Sequence, residues 1–233
     1  MASTAAVIGS TGLVGNVILT TALGLDAFKT VYTISRRAPK QESPKLAATI
    51  EADTTKWTSN LSSITPLPSI VFSALGTTRA AAGGIENQWK IDHDLNVELA
   101  KAARAAGVNT FVFVASAGTR AFPASTLPYS KMKIGVEDSI RSLEFQQAII
   151  LRPGIILDHR DVPHQGATPL ISLIHGLGKI SRGWKDKWGT EAEVIGRAAV
   201  HASILAAEGK APSQYWILEQ ADIIRLGRDE WKA

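Results

Sequence analysis

Cysteine is absent from this chain of 233 residues. Its absence excludes disulfide bonds, thiolate metal sites and cysteine nucleophiles, and is typical of proteins in reducing compartments. No apolar run reaches the roughly 18 residues that a membrane-spanning helix requires, so no transmembrane segment is predicted. The N-terminal residues contain neither a basic stretch before an apolar core nor an Arg-rich amphipathic stretch, and no cleavable presequence is expected.

Long runs of like charge are also missing from the chain. The 25 basic and 21 acidic residues give a net charge of +4 that is spread along the sequence. This distribution argues against a nucleic-acid partner and suits an anionic small ligand. A hydrophobic content of 45% and a charged content of 20% are ordinary for a globular protein. The length fits one domain covering residues 1–233.

The N-terminal region contains a glycine motif between a short apolar run and a helical pattern. The run Ala5–Ile8 leads directly into GSTGLVG, and NVILTTAL follows, which predicts a strand, a tight turn and a helix. The spacing of Gly9, Gly12 and Gly15 is the GxxGxxG variant of the dinucleotide-binding motif. Its glycines allow a tight turn, close approach to a pyrophosphate and close packing of the helix on the sheet.

Polar residues near this motif indicate a phosphorylated dinucleotide. Ser10 and Thr11 add hydroxyl donors, and the helix N-terminus supplies N–H groups for a phosphate. About 20 residues after the glycines, an NAD site usually has an acidic residue for the ribose 2′-hydroxyl. This chain instead has Ser35, Arg36 and Arg37 after the second predicted strand, TVYTIS. Guanidinium groups suit a 2′-phosphate, so NADP(H) is predicted over NAD(H), the alternative being a solvated basic pair on a surface loop.

The rest of the chain alternates short apolar runs with helical patterns. This alternation predicts an α/β protein with a Rossmann-type doubly wound parallel sheet of about seven strands, in the order 3-2-1-4-5-6-7. Residues 155–190 interrupt the pattern and are predicted to form a small irregular C-terminal substrate cap. Strands are predicted at 47–53, 68–79, 109–118, 146–157 and 214–219, and helices at 91–106, 128–143 and 191–207.

Three polar residues are predicted to meet where the fifth strand ends. Ser116 follows this strand, and Tyr129 and Lys133 begin the next helix. Positions four apart share one helix face, so Tyr129 and Lys133 can both face the cleft, whereas Lys131 points elsewhere. A neighbouring ammonium stabilises a phenolate, which makes a phenol a better acid–base group near neutral pH. The alternative is that LPYSKMK is only the first turn of an amphipathic helix.

Taken together, these motifs resemble those of the short-chain dehydrogenases/reductases, and the resemblance covers essentially the whole chain. The resemblance rests on GSTGLVG, on Ser116, on YSKMK thirteen residues later and on LRPG in the next strand. More narrowly, SALGTTR, IDHDLNVELAKAA, LRPGIIL, EVIGRAAV and ADIIRLGRDEWK are similar to segments of the fungal found-in-mitochondrial-proteome reductase-like proteins. These are atypical, extended-like members of the superfamily, related to the animal Tat-interacting protein, or oxidoreductase CC-three.

The resemblance implies a role for each matching residue. Tyr129 would be the general acid that protonates a carbonyl oxygen, Lys133 would hold the nicotinamide ribose, and Ser116 would bind the substrate oxygen. The implied cofactor-binding residues are Gly9, Ser10, Thr11, Gly12, Leu13, Val14 and Gly15 at the pyrophosphate, Ser35, Arg36 and Arg37 at the 2′-phosphate, Asp53, Leu75, Gly76 and Thr77 on the adenosine side, and Lys133, Arg152, Pro153 and Gly154 near the nicotinamide.

Three features of the sequence are not explained by the resemblance to the short-chain dehydrogenases/reductases. Many relatives have Asn on the fourth helix, where this chain has Asp92, with Asn96 one turn further on. The segment LDHRDVPH contains acidic residues and histidines, but its spacing fits no common metal-ligand pattern, so no metal site is predicted. Trp184 and Trp188 either line a substrate pocket or only bury the cap.

The predicted function is NADPH-dependent reduction of a small, fairly apolar ketone or aldehyde. Two alternatives remain: an NADPH-sensing regulatory protein without turnover, in keeping with the animal relatives, and a non-redox isomerase or cyclase that uses the same site. The expected location is cytoplasmic, with peripheral association with the mitochondrial outer membrane as the variant that the resemblance suggests. The expected assembly is a monomer or a homodimer.

Overall fold

A computed structural model describes residues 3–157, 186 and 189–232. The described strands are β1 (Ser3–Ile8), β2 (Phe28–Ser35), β3 (Leu46–Ile50), β4 (Ile70–Ser73), β5 (Thr110–Val114), β6 (Gln147–Leu151), β7 (Ile155–Ile156), β8 (Gly189–Thr190) and β9 (Tyr215–Leu218). The described α-helices are α1 (Leu13–Gly24), α2 (Trp57–Ser62), α3 (Arg79–Ala82), α4 (Ile85–Trp89), α5 (Asn96–Ala106), α6 (Pro128–Ser142), α7 (Ala192–Ala207) and α8 (Gln220–Ile224).

Seven of these strands form one parallel sheet in the order β3-β2-β1-β4-β5-β6-β9. The predicted Rossmann-type fold and strand order are therefore confirmed, with β9 as the seventh strand. The order reverses between β1 and β4, which places the crevice of a doubly wound sheet beside the glycine turn after β1.

Apolar residues on both faces of the strands produce two hydrophobic layers. Ala5 and Val7 pack on the side of α1 and α7, whereas Ala6 and Ile8 pack on the side of α2, α5 and α6. Alternate residues of a strand point to opposite faces, so a fully apolar strand is buried by helices on both sides. This burial explains why the strands contain nearly continuous apolar runs.

Several predicted elements are shorter or more divided in the structure. The predicted strands at 68–79, 109–118 and 146–157 contain β4, β5 and β6, and the strand predicted at 47–53 overlaps β3, which begins at Leu46. Each prediction continues into the loop at the edge of the sheet. The predicted helix at 91–106 begins with a π-helical segment, Lys90–Leu95, before α5. The sequence did not predict α2, α3, α4, α8 or the π-helical segment Arg225–Asp229.

The predicted cap lies mostly outside the described residues. Its two ends meet in a short parallel pair, in which Ile155 of β7 is opposite Gly189 of β8. The candidate metal segment at 158–164 and the pair Trp184 and Trp188 lie outside the described residues.

Candidate functional site

The carboxyl ends of β1, β4, β5 and β6 bring most of the predicted site residues to one edge of the sheet. The glycine turn follows β1, Leu75, Gly76 and Thr77 follow β4, Ser116 follows β5, and 152–154 follow β6. Because all strands of the sheet are parallel, these loops lie side by side. The sheet therefore creates a single cleft to which distant parts of the sequence contribute.

The glycine turn leaves N–H groups available at the start of α1. Gly9 has a φ of 80°, which favours glycine, and its carbonyl accepts a hydrogen bond of 2.9 Å from the Gly12 N–H. No side chain caps α1 at Gly12. The hydroxyl of the fully buried Ser10 has no hydrogen-bond partner among the described residues. Thr11 and Gly12 are exposed, so this turn offers donors to an anionic ligand.

Gly15 is required for the close packing of α1 on this turn. A methyl group at Gly15 would lie 2.1 Å from the carbonyl oxygen of Gly9, a backbone atom that cannot move without opening the turn. We expect Gly15→Ala to lower the free energy of unfolding by about 1–3 kcal/mol and to weaken dinucleotide binding by about 10-fold or more. Urea denaturation and ligand titration measure the two effects.

Gly24, at the other end of α1, provides the matched control. A methyl group there meets no atom within 4 Å, so Gly24→Ala should leave dinucleotide affinity unchanged and stability within about 1 kcal/mol of wild type. Equal behaviour of the two variants would contradict the steric role of Gly15.

The residues after β2 present two cations at the surface. Ser35 is buried and its hydroxyl donates to the carbonyl oxygen of Arg37 at 2.7 Å, which fixes the turn. Arg36 and Arg37 are exposed, and neither guanidinium has an acidic partner among the described residues. Asp53 is also exposed, and hydrogen bonds from Thr55 lower the pKa of its carboxyl group. The residues at the end of β2 therefore present two exposed guanidinium groups.

The fifth strand and α6 bring Ser116, Tyr129 and Lys133 to the cleft. Ser116 lies two residues beyond β5, and Tyr129 is in the first turn of α6 with 42% of its surface exposed. Lys133 is only 5% exposed; its ammonium donates to the carbonyl oxygen of Val114 at 3.3 Å. Lys131, by contrast, is exposed. The period of the helix thus directs Lys133, and not Lys131, toward the sheet.

An ion-pair network joins α6 to two neighbouring loops. The carboxylate of Glu137, which is fully buried, accepts hydrogen bonds from Arg152 at 2.6 and 3.2 Å and from Arg120 at 3.2 Å. Arg152 also donates to Glu219 at 2.9 Å, and Arg120 donates to Asp138 at 2.5 Å. The pKa of Arg152 is raised chiefly by its hydrogen bond to Glu137. Its guanidinium therefore binds carboxylates of the protein itself.

The backbone after β6 is held by hydrogen bonds to neighbouring segments, including one of 2.8 Å from the Arg152 N–H to the carbonyl oxygen of Leu218. The carbonyl oxygen of Pro153 accepts from the Ala117 N–H at 2.8 Å, beside Ser116. The N–H of Gly154 donates to the side chain of Gln220 at 2.8 Å. The predicted nicotinamide-side residues 152–154 thus form a wall of the cleft whose backbone is hydrogen-bonded to neighbouring segments.

Tyr215 lies beside the ion-pair network. Burial raises the pKa of Tyr215 to about 12, and the negative charge of Glu137 acts in the same direction. Its hydroxyl donates to the carbonyl oxygen of Glu137 at 3.2 Å. Tyr215 therefore remains protonated near neutral pH, and its hydroxyl group donates to the backbone of α6.

The sequence profile of the family described as "NAD dependent epimerase/dehydratase family" matches residues 5–154, which include the glycine turn, Ser116, Tyr129, Lys133 and the wall after β6. The chain belongs to this NAD dependent epimerase/dehydratase family. More than half of the chain is covered by the match, so the relation does not depend on any single motif.

Close relatives of this family member are fungal. The chain is 62% identical to "Protein FMP52, mitochondrial" of Chaetomium globosum, over 97% of both chains. It is 60% identical to "Protein fmp52-2, mitochondrial" of Aspergillus oryzae, over 99% of both chains. The names of these relatives state a mitochondrial location and so do not support a purely cytoplasmic one. No helix of the described residues is long and apolar enough to cross a membrane.

Solved structures of other proteins share the fold. A short chain dehydrogenase/reductase of Saccharomyces cerevisiae superposes with a TM-score of 0.69 at 16% identity, over 94% of this chain and 96% of its own. The UDP-Glc/GlcNAc 4-epimerase of Campylobacter jejuni gives a TM-score of 0.67 at 13% identity, over 96% of this chain and 82% of its own. At these identities the likeness establishes the fold.

The structure of this epimerase/dehydratase family member also shows polar residues that the sequence did not assign to the site. Gln88 and Asp92 approach the loop after β4, and Arg120 and Glu137 hold α6. Each is a charged or amide residue in a helical or loop pattern, where an exposed position is the usual expectation. A signal in the sequence pointed to one of these residues, Asp92, which stands where many relatives have Asn.

Proposed function

We propose that this protein is an NADPH-dependent oxidoreductase of the short-chain dehydrogenase/reductase type that reduces a small, apolar carbonyl compound. The observation that carries the proposal is the arrangement of α6 beside β5. Tyr129 is exposed in the first turn of α6, Lys133 is buried one helical turn further on, and Ser116 follows the end of β5. An accessible phenol beside a buried cation is suited to proton transfer.

The residues of the cleft fit a phosphorylated dinucleotide. The turn after β1 offers unpaired donors, including the buried hydroxyl of Ser10, at the start of α1. The exposed Arg36 and Arg37 provide positive charge at the end of β2, where the 2′-phosphate of NADP(H) would bind. When bound, NADPH would supply the hydride that reduces the carbonyl carbon.

The side chains of this protein would supply the proton and the polarisation. Ser116 would donate a hydrogen bond to the carbonyl oxygen, and Tyr129 would transfer its phenolic proton to that oxygen to form the alcohol. The positive charge of Lys133 would stabilise the phenolate that remains. Solvent can return a proton to Tyr129, since 42% of its surface is exposed.

The surroundings of Tyr129 favour an apolar substrate. Phe122 is 87% exposed and Leu127 is 56% exposed, and both lie in the segment that connects Ser116 to Tyr129. Large exposed apolar side chains in the segment that leads to Tyr129 favour ligands with apolar surface. A small ketone or aldehyde with an aliphatic or aromatic substituent fits these surroundings best.

The two arginines after β2 give a sharp test of dinucleotide choice. We expect Arg36→Ala or Arg37→Ala to weaken NADPH binding by about 10-fold or more, because a charge-assisted hydrogen bond contributes about 1.5–3 kcal/mol. NADH binding should change little, because NADH lacks the 2′-phosphate. Quenching of protein fluorescence on titration measures both dissociation constants.

Lys29→Ala serves as the control for this test. Lys29 is exposed near the opposite end of the same strand, so its replacement changes net charge equally without touching the cleft. Preference of the wild type for NADH would contradict the role of the arginines. Failure to bind either dinucleotide would contradict the proposed function, and tight NADPH binding without turnover of any carbonyl compound would favour a nucleotide-sensing protein.

We also propose that the protein associates with mitochondria, which the names of the relatives support. Peripheral binding to the cytoplasmic face of the mitochondrial outer membrane would agree both with the mitochondrial names of the relatives and with the cytoplasmic location predicted from the sequence. Protease treatment of intact mitochondria that carry the tagged protein tests the proposal. Degradation is expected, and protection until the outer membrane is ruptured would contradict an exposed peripheral location.

A further inference from the structure

A buried carboxylate in the cleft has no role in the proposed chemistry. Asp92 lies in the π-helical segment Lys90–Leu95 and is only 1% exposed. The side-chain amide of Asn96 donates to the carbonyl oxygens of Ile91 and Asp92 at 3.1 and 3.2 Å, and its oxygen accepts from Ser73 at 2.6 Å. Asn96 therefore holds the wider helical turn in place, and that turn carries Asp92 inward.

The carboxylate of Asp92 contacts the loop after β4. One oxygen accepts a hydrogen bond from the Thr77 N–H at 2.7 Å, and the other accepts from the amide of Gln88 at 3.3 Å. A methyl group at Gly76 would lie 3.7 Å from this carboxylate and 3.9 Å from the ammonium nitrogen of Lys133. The two charged groups therefore border the same small space, beside a loop predicted to contact the cofactor.

Among the described residues, a carbonyl oxygen and an aromatic ring lie close to the ammonium of Lys133. Its ammonium contacts the carbonyl oxygen of Val114 and lies 5.0 Å from the ring centre of Phe113. Burial raises the pKa of Asp92, and the positive charge of Lys133 acts in the opposite direction. A buried carboxylate that is harder to ionise lowers the stability of the folded state at neutral pH. Because the buried carboxylate of Asp92 lowers stability, a role in function would explain its presence.

We propose that Asp92 is a positioning residue that pairs electrostatically with Lys133 and holds its ammonium toward the cofactor side of the cleft. The pairing is inferred from the positions of the two charged groups, which lie 3.7 and 3.9 Å from the same point beside Gly76. Its consequence for the cofactor rests on the proposed function, because Lys133 would hold the nicotinamide ribose there. Asp92 thereby acts through Lys133 and the Thr77 loop, and does not contact the reacting atoms.

A double-mutant cycle tests the pairing without any ligand. Asp92→Asn, Lys133→Met and the double variant are compared with wild type by urea denaturation. Each single change leaves one buried charge without its partner, so we expect the double variant to be more stable than the sum of the two single losses predicts. Additive losses would overturn the pairing, whatever the protein catalyses.

Dinucleotide titration and turnover test the positioning role. We expect Asp92→Asn to raise the dissociation constant for NADPH by about 10-fold, which corresponds to about 1.4 kcal/mol, and to lower kcat at saturating NADPH. Asp94→Asn is the matched control: it removes an exposed carboxylate of the same π-helical segment, whose contact is with His93, and should leave both functional values unchanged.

The double-mutant cycle and the dinucleotide experiments together distinguish the charge pairing, the positioning role and the proposed function. Coupling in the cycle with unchanged NADPH affinity and kcat would overturn the positioning role. A wild-type protein that binds no dinucleotide would overturn the proposed function together with the positioning role, and the cycle would still decide whether the charges pair.

Discussion

Tyr129→Phe is expected to lower the turnover of carbonyl compounds by about 10²–10⁴-fold, the range typical of lost general acid catalysis. The change removes only the phenolic oxygen, which has no hydrogen-bond partner among the described residues, so the fold should not depend on it. We therefore expect the melting temperature to stay within about 2 °C of wild type and the NADPH dissociation constant to be nearly unchanged. NADPH oxidation followed by absorbance measures the loss.

Tyr32→Phe is the matched control for this experiment. Tyr32 lies in β2, away from α6, and its hydroxyl donates to the carbonyl oxygen of Thr65 at 3.4 Å. This variant should retain full turnover. Full activity in Tyr129→Phe would exclude Tyr129 as the acid, even if the protein proves to be a reductase.

Removal of the buried charge at Glu137 should produce the largest loss of stability. The carboxylate is fully buried between Arg152 and Arg120, whose side chains are 15% and 40% exposed. Glu137→Gln keeps the size of the side chain but leaves Arg152 without its buried partner. Breaking a buried pair in this way costs about 3–5 kcal/mol, which urea denaturation monitored by circular dichroism can measure.

Asp138→Asn is the matched control on the next residue. Asp138 also binds Arg120, but its side chain is 56% exposed, and such surface pairs contribute about 0–1 kcal/mol. If Glu137→Gln does not fold, Arg120→Met removes the more exposed arginine and should give a measurable intermediate loss. Similar small losses in the Glu137 and Asp138 variants would show that the network contributes little to stability.

The sequence predicted the parts of the fold that depend on local patterns. Apolar runs alternate with helical patterns, and right-handed connections between parallel strands leave few strand orders open. The glycine turn was predictable because Gly9, Gly12 and Gly15 lie within one short segment. The selection of Lys133 over Lys131 likewise required only the helical period.

The first and last residues of the strands and helices were less predictable, because they depend on contacts with neighbouring strands. The apolar run of 68–79 indicated a long strand, but β4 covers only Ile70–Ser73. Beyond Ser73 the chain turns away at the edge of the sheet, where the loop contacts Asp92. The π-helical segment also depends on a distant residue, because Ser73 of β4 binds Asn96. A contact between residues so far apart in the sequence cannot be predicted from the local sequence pattern.

The sequence by itself determined the dinucleotide-binding fold and proposed Ser116, Tyr129 and Lys133 as the reacting set, because short-range spacing encodes turns, helix faces and strand ends. Only the tertiary structure decided which charged residues are buried. Glu137 and Asp92 occupy positions where a helix sequence normally has solvated charges, and their partners Arg152 and Lys133 come from other elements of the fold. Burial arises when helices pack on the sheet, and sequence spacing does not specify that packing.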